Sequence, residues 1–195
     1  MASNLGVYAM EMTWNFDNPI PLSDNFNSVQ GTWKILKTDD APSPPSVLAQ
    51  VAKSPSNVFN LVLIRNSAYQ NLEIVVAMKA VHGEIDQGGG LVWRAKDANN
   101  YYVARYNPLE SNYRVYKVQN GIRIQLQSAN INPVQGWYQL RIRMKTQHME
   151  CYLNDKKYLE VDDSTFKDSG MIGLWTKSDA QTYFDDLHAS ELDHK

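Results

Sequence analysis

Short segments in which apolar and polar residues alternate recur from about residue 59 to the end of the chain. In LEIVVAMKA, residues 72–80, every second residue is apolar, and IRIQLQS, residues 122–128, repeats the pattern with its aliphatic residues facing inward and Arg123 outward. A period of two residues is that of a β-strand with one buried face. The Asn-Gly pair at 120–121 is typical of a tight hairpin turn. The chain is therefore expected to consist of antiparallel strands, with no helix of three turns.

This strand content predicts an all-β fold, a two-sheet antiparallel β sandwich. Roughly a dozen strands without crossover helices favour a sandwich of jelly-roll type over an open sheet. The stretch DDAPSPPS, residues 39–46, carries three prolines, which cannot donate hydrogen bonds within a sheet, and is expected to be a surface loop. A chain of 195 residues fits one domain, 1–195, with residues 1–16 as a loosely attached N-terminal arm.

The charge balance bears on possible partners. With 19 Lys and Arg against 21 Asp and Glu, the net charge is −2, which creates no field able to attract polyanions, so nucleic acid is not expected as a partner. No apolar stretch approaches the ~18 residues of a membrane span, and residues 1–14 lack the pattern of a signal peptide. The compartment stays open between the cytoplasm and secretion with the leader removed, and so does the oligomeric state.

Two stretches carry a resemblance to a known family. GEIDQGGGLVWRAKDANNYYVARYNPLESNYRVYKVQNG, residues 83–121, and GLWTKSDAQTYFDDL, residues 173–187, resemble bacterial proteins with a concanavalin A-like, laminin-G-like jelly roll, related to the domain associated with 3-keto-disaccharide hydrolases. The resemblance extends over about residues 24–189. It implies a concanavalin A-like jelly roll and a role connected with sugars, without fixing an activity.

Glu84-Ile85-Asp86 resembles the first half of the E-x-D-x-E strand motif of laminarinase-type β-glucanases, which share this fold. Retaining hydrolysis needs two carboxyl groups roughly 5–5.5 Å apart. Where the second glutamate would stand, this chain has Gly88, or Gly89 in the bulged form of the motif, and glycine cannot transfer a proton. The standard retaining mechanism is therefore not expected.

Three interpretations of Glu84 and Asp86 remain open. They are catalytic if another acid, such as Asp97 or Glu110, replaces the missing partner. Alternatively, they are hydrogen-bonding carboxylates at a strand end, neutralised by Arg94 or Arg105. In the third interpretation they accept hydrogen bonds from a ligand at the rim of a site, where the glycines of QGGG, residues 87–90, let a ligand or another backbone approach closely.

A polar, aromatic face is predicted around WRAKDANNYYVARYNP, residues 93–108. If Tyr102, Ala104 and Tyr106 face the core, the alternate residues of that strand face outward, although the opposite parity is also compatible with the sequence. Flat rings and planar donors suit sugars, while the alternative is an aromatic core with exposed arginines. Trp175 alternates out of phase with its apolar neighbours. The candidate ligand-binding residues are Glu84, Asp86, Arg94, Tyr101, Arg105, Asn107, Tyr113, Lys117 and Trp175.

A structural Ca²⁺ is the one cofactor considered. The resemblance implies an ion between the first and last strands, where Asp24, Asp185 and Asp186 supply the oxygen atoms that calcium prefers. The sequence thus predicts no other cofactor.

Three functions follow as hypotheses. The first is a non-catalytic β sandwich that binds a carbohydrate or another small polar ligand on an Arg/Tyr/Trp-lined concave face. The second is a glycoside hydrolase or lyase with non-standard acid and base residues. The third is a protein-interaction domain without a small ligand.

Overall fold

The computed structural model describes residues 10–18 and 21–193, which form fifteen strands and one short helix. Their bounds are β1 (Glu11–Trp14), α1 (Leu22–Asn25), β2 (Phe26–Gln30), β3 (Trp33–Lys37), β4 (Ser46–Gln50), β5 (Phe59–Ile64), β6 (Leu72–His82), β7 (Gly89–Asp97), β8 (Asn100–Asn107), β9 (Asn112–Gln119), β10 (Ile122–Asn130), β11 (Trp137–Lys145), β12 (His148–Leu153), β13 (Lys156–Asp162), β14 (Met171–Lys177) and β15 (Gln181–Glu191).

The strands form two antiparallel sheets. The eight-stranded sheet has the order β13-β12-β11-β6-β15-β4-β3, with β1 paired to β15, and the seven-stranded sheet has the order β10-β9-β8-β7-β14-β5-β2. Consecutive hairpins β7 to β10 build one half of the seven-stranded sheet, as the turn residues indicate. The predicted all-β, concanavalin A-like jelly roll is confirmed.

The predicted domain 1–195 extends at both ends beyond the residues that the structure describes. Of the predicted arm 1–16, residues 1–9 are not described, while residues 11–14 form β1 and pair with β15. The proline-rich stretch, as expected, forms the loop between β3 and β4. No helix in the described ranges has the length and apolar character needed to cross a membrane.

The main core lies between the two sheets. Leu72, Ile74, Val76 and Met78 on β6 are completely buried there, as their alternation predicts. The same rule is wrong at the start of β10, where Ile122 is 66% exposed and Ile124 is 40% exposed. β10 is the edge strand of its sheet. Its parity is that of a core strand, but its first residues extend past the cover of the opposite sheet.

The glycines of QGGG allow neighbouring backbones to come close. A Cβ on Gly90 would lie 1.7 Å from the carbonyl oxygen of Ala104, and one on Gly89 would lie 2.5 Å from that of Trp175. Gly88 has φ +71, in the left-handed region that favours glycine. Of the two approaches that the sequence left open, backbone contact is therefore the one that the structure shows.

We expect Gly90→Ala to destabilise the protein by about 3 kcal/mol, because the added methyl group overpacks a sheet that cannot separate locally. Gly136→Ala is the control, since a Cβ there meets nothing within 4 Å. Its only expected cost, about 1 kcal/mol, comes from the left-handed backbone φ of +73, which alanine tolerates less well than glycine. Urea unfolding measures both free energies. Equal losses in the two variants would contradict the close approach at Gly90.

Candidate functional site

The seven-stranded sheet is apolar on both faces. Its inner face contributes to the main core, and its outer face carries a second buried cluster. That cluster consists of Leu61, Leu63, Val92, Ala95, Tyr101, Val103, Tyr116, Val118 and Trp175. All strands of the described part of the chain belong to the two sheets, so no third layer of these residues covers this face.

Arg123 shows how strong the curvature is. It lies on β10, the first strand in the sheet order, yet its guanidinium carbon is 5.4 Å from the ring centre of Phe59 on β5, the sixth strand. Five strand spacings in a flat sheet would separate these strands by roughly 24 Å. The outer face is therefore concave, and we call it the concave face hereafter.

Arg105 on β8 is the centre of a buried polar network on the concave face. Its side chain is 2% exposed, and its Nη1 lies 3.3 Å from Asp86 Oδ1, whose side chain is 1% exposed. Its Nη2 donates to Glu110 Oε2 at 2.7 Å and to Asn112 Oδ1 at 3.2 Å. The guanidinium therefore joins the loop before β7 to the β8–β9 hairpin.

Asp86 has two further donors. Asn107 Nδ2 lies 2.6 Å from Oδ1, and Lys177 Nζ on β14 lies 3.0 Å from Oδ2. Burial alone would raise the pKa of Glu110, but Asn112 and the guanidinium groups beside it lower that pKa. Both carboxylates of the network are thus held by positive charge.

Glu84 and Asp86 do not stand on a strand, so the laminarinase-like strand placement is wrong. They lie in the loop between β6 and β7, whose backbone N–H groups at residues 84, 85 and 86 donate to the carboxylate of Asp179. Burial would raise the pKa of Asp179, but these three hydrogen bonds lower it. The loop conformation buries Asp86 and leaves Glu84 exposed.

Trp175 and Tyr101 lie together on the concave face. Trp175 Nε1 donates to the Tyr101 hydroxyl at 3.2 Å, and burial raises the pKa of Tyr101 to about 12. Trp175 does point away from the main core, as its phase predicts, but neither ring is exposed. Beside them a cavity of about 320 Å³ is lined by Val29, Gln30, Val58, Phe59, Leu61, Ala98, Asn99 and Tyr101.

Three of the predicted residues lie elsewhere, and Arg94 is the first. Its backbone has φ 47, and the pairing of β7 shifts register between Trp93 and Asp97. The bulge moves Ala95 to the concave face and directs the Arg94 side chain towards one end of the sandwich. There its guanidinium donates to three backbone carbonyls, those of Gln70, Thr146 and Phe166.

Tyr113 and Lys117 share the core-facing parity of β9, so their placement on the polar face is wrong. Tyr113 is completely buried in the main core, and Lys117 forms an ion pair with Asp163 at 2.8 Å. Burial would raise the pKa of Asp163, but Lys117, Thr165 and Tyr102 lower it to about 2. The opposite parity of β9 instead brings Tyr116 to the concave face.

The sequence interpretation thus identified Asp86, Tyr101, Arg105, Asn107 and Trp175 on or beside one face, and it missed several partners. Arg123 was expected to face outward, but its contact with rings on other strands was not foreseen. Tyr116 could have been found from the parity of β9 once the hairpin register was known. The missed side chains are Phe59, Asn112, Tyr116, Arg123 and Lys177, while Glu110 was considered only as a replacement for the missing catalytic acid.

The acidic residues considered as calcium ligands separate into two places. Asp185 Oδ2 accepts a hydrogen bond from the backbone N–H of Ser43 at 2.9 Å, and Asp186 Oδ1 accepts one from the Ser43 hydroxyl at 2.6 Å. Burial, with further repulsion from Asp186 and Asp17, raises the pKa of Asp185 to about 6. Asp24 lies exposed on α1. The third carboxylate whose charge acts on Asp185 is that of Asp17, not that of Asp24.

A second group of metal-type side chains lies on the outer face of the eight-stranded sheet. One ligand atom each of His148, Glu150 and Glu160 lies within 4.8 Å of the others. Both glutamates already pair with Lys157, and Glu150 also pairs with Arg143. The group is a surface charge network with its own cations.

The fold and the buried polar face define a concanavalin A-like jelly roll with a concave sheet. The chain belongs to the family of 3-keto-α-glucoside-1,2-lyase-like domains, whose profile matches residues 24–189. No curated protein sequence matches it significantly.

Solved structures share the fold at low sequence identity. The carbohydrate-binding module CBM66 from Bacillus subtilis is 20% identical with a TM-score of 0.72, over 85% of this chain and 95% of that chain. A protein of unknown function with a galectin-like fold from Bacillus subtilis is 10% identical with a TM-score of 0.66, over 94% and 98%. The GH43 protein BlXynB from Bacillus licheniformis is 15% identical with a TM-score of 0.63, over 91% of this chain and 39% of that chain.

We expect Asp86→Asn to cost about 3 kcal/mol of stability, because it leaves the buried guanidinium of Arg105 without its innermost counter-charge. Glu84→Gln, two residues earlier in the same loop, removes the same charge from an exposed position and should cost less than about 0.5 kcal/mol. Chemical denaturation of the two variants gives both values. A small loss in Asp86→Asn would show that the pair is solvated.

Proposed function

We propose that this protein binds a carbohydrate on its concave face and does not cleave it. The observation that carries the proposal is that one curved sheet holds three features: the rings of Phe59, Tyr101, Tyr116 and Trp175, the hydrogen-bonded Arg105–Asp86 network, and a cavity of about 320 Å³ whose lining includes Phe59 and Tyr101. Aromatic faces stack on the C–H faces of sugar rings, and planar donors and carboxylates bind hydroxyl groups. The fold shared with a carbohydrate-binding module supports the same function.

The carboxylates of the face argue for binding rather than hydrolysis. A glycoside hydrolase needs one carboxyl group that keeps its proton and one that is ionised. Here Asp86 and Glu110 both contact the guanidinium of Arg105, and the environment lowers the pKa of Glu110. An ionised, arginine-bound carboxylate accepts hydrogen bonds from sugar hydroxyls but cannot protonate a leaving group.

A second candidate function is a lyase or hydrolase acting on a sugar. It is favoured by the family, which is described by a 3-keto-α-glucoside-1,2-lyase activity. Elimination next to a keto group needs a base rather than an acid. Of the two carboxylates in the network, only Glu110 is within reach of a substrate, because its side chain is 40% exposed while that of Asp86 is 1% exposed. The arginines that lower the pKa of Glu110 make it a weak base, which argues against this candidate.

For the binding function we predict that Phe59→Ala weakens binding of an oligosaccharide about tenfold, because a ring beside the cavity is lost. Tyr152→Ala is the matched control, since Tyr152 is a half-buried ring on the eight-stranded sheet. A glycan array selects the oligosaccharide, and isothermal titration calorimetry measures both variants. Equal weakening in the two variants, or no glycan bound, would reject the concave face as a sugar site.

Turnover separates the two candidates. Incubation of the protein with the bound oligosaccharide and with its 3-keto form, followed by mass spectrometry of the products, should show no cleavage. Cleavage that is lost in Glu110→Gln would establish the lyase instead. A protein that binds no glycan and cleaves none would be the interaction domain that forms the third hypothesis.

We also propose that Asp185 and Asp186, with Asp17, hold a structural Ca²⁺. Their oxygen atoms match the donors that calcium prefers, and burial together with the negative charges of Asp186 and Asp17 raises the pKa of Asp185, a repulsion that a bound cation would offset. We expect a dissociation constant of about 0.1 mM for Ca²⁺ at a site of this kind. Ca²⁺ at about 2 mM should then raise the thermal unfolding midpoint by a few degrees. The rise should be absent in Asp185→Asn and retained in Asp24→Asn. No rise in the unmodified protein would reject the site.

A further inference from the structure

Arg123 occupies the centre of the concave face. Its guanidinium carbon lies 4.5 Å from the ring centre of Tyr116, 5.4 Å from that of Phe59 and 5.8 Å from that of Trp175. These rings belong to three different strands, and Arg123 itself belongs to the edge strand β10. A flexible edge side chain therefore covers the rings on which a sugar would stack.

Hydrogen-bond donors on this face lack acceptors. Among the described residues no partner exists for Arg123 Nη1, Arg105 Nε or the Tyr116 hydroxyl, and all three atoms are buried. Arg105 and Tyr116 are 2% and 3% exposed as whole residues, so neither can turn to water. A buried donor without a partner costs free energy that an oxygen-bearing ligand would recover.

The face also carries more positive than negative charge. Four cationic side chains lie on or beside this face, and among the described residues two carboxylates, Asp86 and Glu110, form ion pairs with three of them. Both carboxylates are committed to Arg105, Arg114 or Lys177. Within the described ranges Arg123 forms no ion pair, and burial lowers its pKa because the charged form is partly desolvated. The cations on this face are Arg105, Arg114, Arg123 and Lys177.

Arg141 on the eight-stranded sheet is a ring-stacked arginine that does have carboxylate partners. Its guanidinium lies 4.2 Å from the ring centre of Tyr152, and its Nε is also buried without a partner. Unlike Arg123, it has carboxylates nearby, those of Glu73 at 3.8 Å and Asp155 at 3.4 Å. The stacking of an arginine on a ring is therefore common to both sheets, and of these two ring-stacked arginines only Arg141 has carboxylates at ion-pair distance.

We infer that the concave face is selective for an acidic saccharide, and that Arg123 binds the carboxylate of a uronic acid unit. The inference rests on the proposed carbohydrate binding and specifies its ligand. The planar fork of a guanidinium matches a carboxylate with two parallel hydrogen bonds. When Arg123 turns from the rings towards the carboxylate, the rings of Tyr116 and Trp175 become free to stack on the sugar, so one side chain serves as cover and as anchor.

The test is calorimetric titration of the protein with trigalacturonate and with its fully methyl-esterified form at pH 7 and low salt. The two probes have the same sugar rings and differ in charge, since an ordinary carboxyl group is ionised at this pH. We expect the acid form to bind at least about tenfold more tightly, as a charge-assisted hydrogen bond requires. Arg123→Gln should abolish this preference by weakening the binding of the acid form about tenfold.

Controls separate the possible failures. Arg141→Gln, which removes the ring-stacked arginine of the other sheet, should keep the full preference, and Arg123→Lys should keep part of it. Thermal unfolding of each variant verifies that it folds. Acetate at the same carboxylate concentration should not compete, and competition by acetate would reduce the site to a non-specific anion site.

Each outcome has one meaning. Equal binding of the acid and the ester would overturn the inference and leave the proposed carbohydrate binding intact. Binding of neither probe, combined with a glycan array that shows no neutral sugar bound, would overturn both. A preference for the acid that survives in Arg123→Gln would assign the anion to another side chain and reject the role of Arg123.

Discussion

Arg105 is a charged group with 2% exposure on the outer side of a sheet that no other layer covers. Removal of a guanidinium from water costs several kcal/mol unless carboxylates and hydrogen bonds replace the water. Asp86, Glu110 and Asn112 supply those acceptors from two loops, and Lys177 ties Asp86 to β14. Arg105 therefore ties the β6–β7 loop, which Asp179 also holds, to the β8–β9 hairpin.

The curvature of the seven-stranded sheet accompanies the burial of its second apolar face. A sheet with apolar residues on both faces is more stable when both are buried, and among the described residues no third layer of strands covers the outer face. The edge strand β10 therefore brings Arg123 over rings of β5, β9 and β14. Close backbone contacts at Gly89 and Gly90 accompany this bending in the middle of the sheet. The candidate site is a consequence of how the protein buries its second apolar face.

Sequence patterns predicted positions well wherever the strands are regular. The alternation of β8 separated Tyr101 and Arg105 from Tyr102 and Tyr106, and of the two parities that the sequence left open the structure has the one with Tyr102 and Tyr106 in the core. The prediction failed for Arg94, because a bulge with a left-handed residue shifts the alternation by one position. It failed for Tyr113 and Lys117 because they were grouped with Arg105 on the ground that their strands are neighbours in the hairpins. Neighbouring strands share a sheet, but the side chains of each strand point alternately to its two faces.

By itself the sequence determined the antiparallel strands, their turns, the face of most residues and the absence of a second glutamate in the laminarinase-like motif. These properties are local, since a period of two and a turn are set within a few residues. Only the tertiary structure decided that Lys177 meets Asp86 and that Arg123 meets Phe59. Such contacts depend on twist and curvature summed over several strands, and no local pattern in the chain encodes that sum.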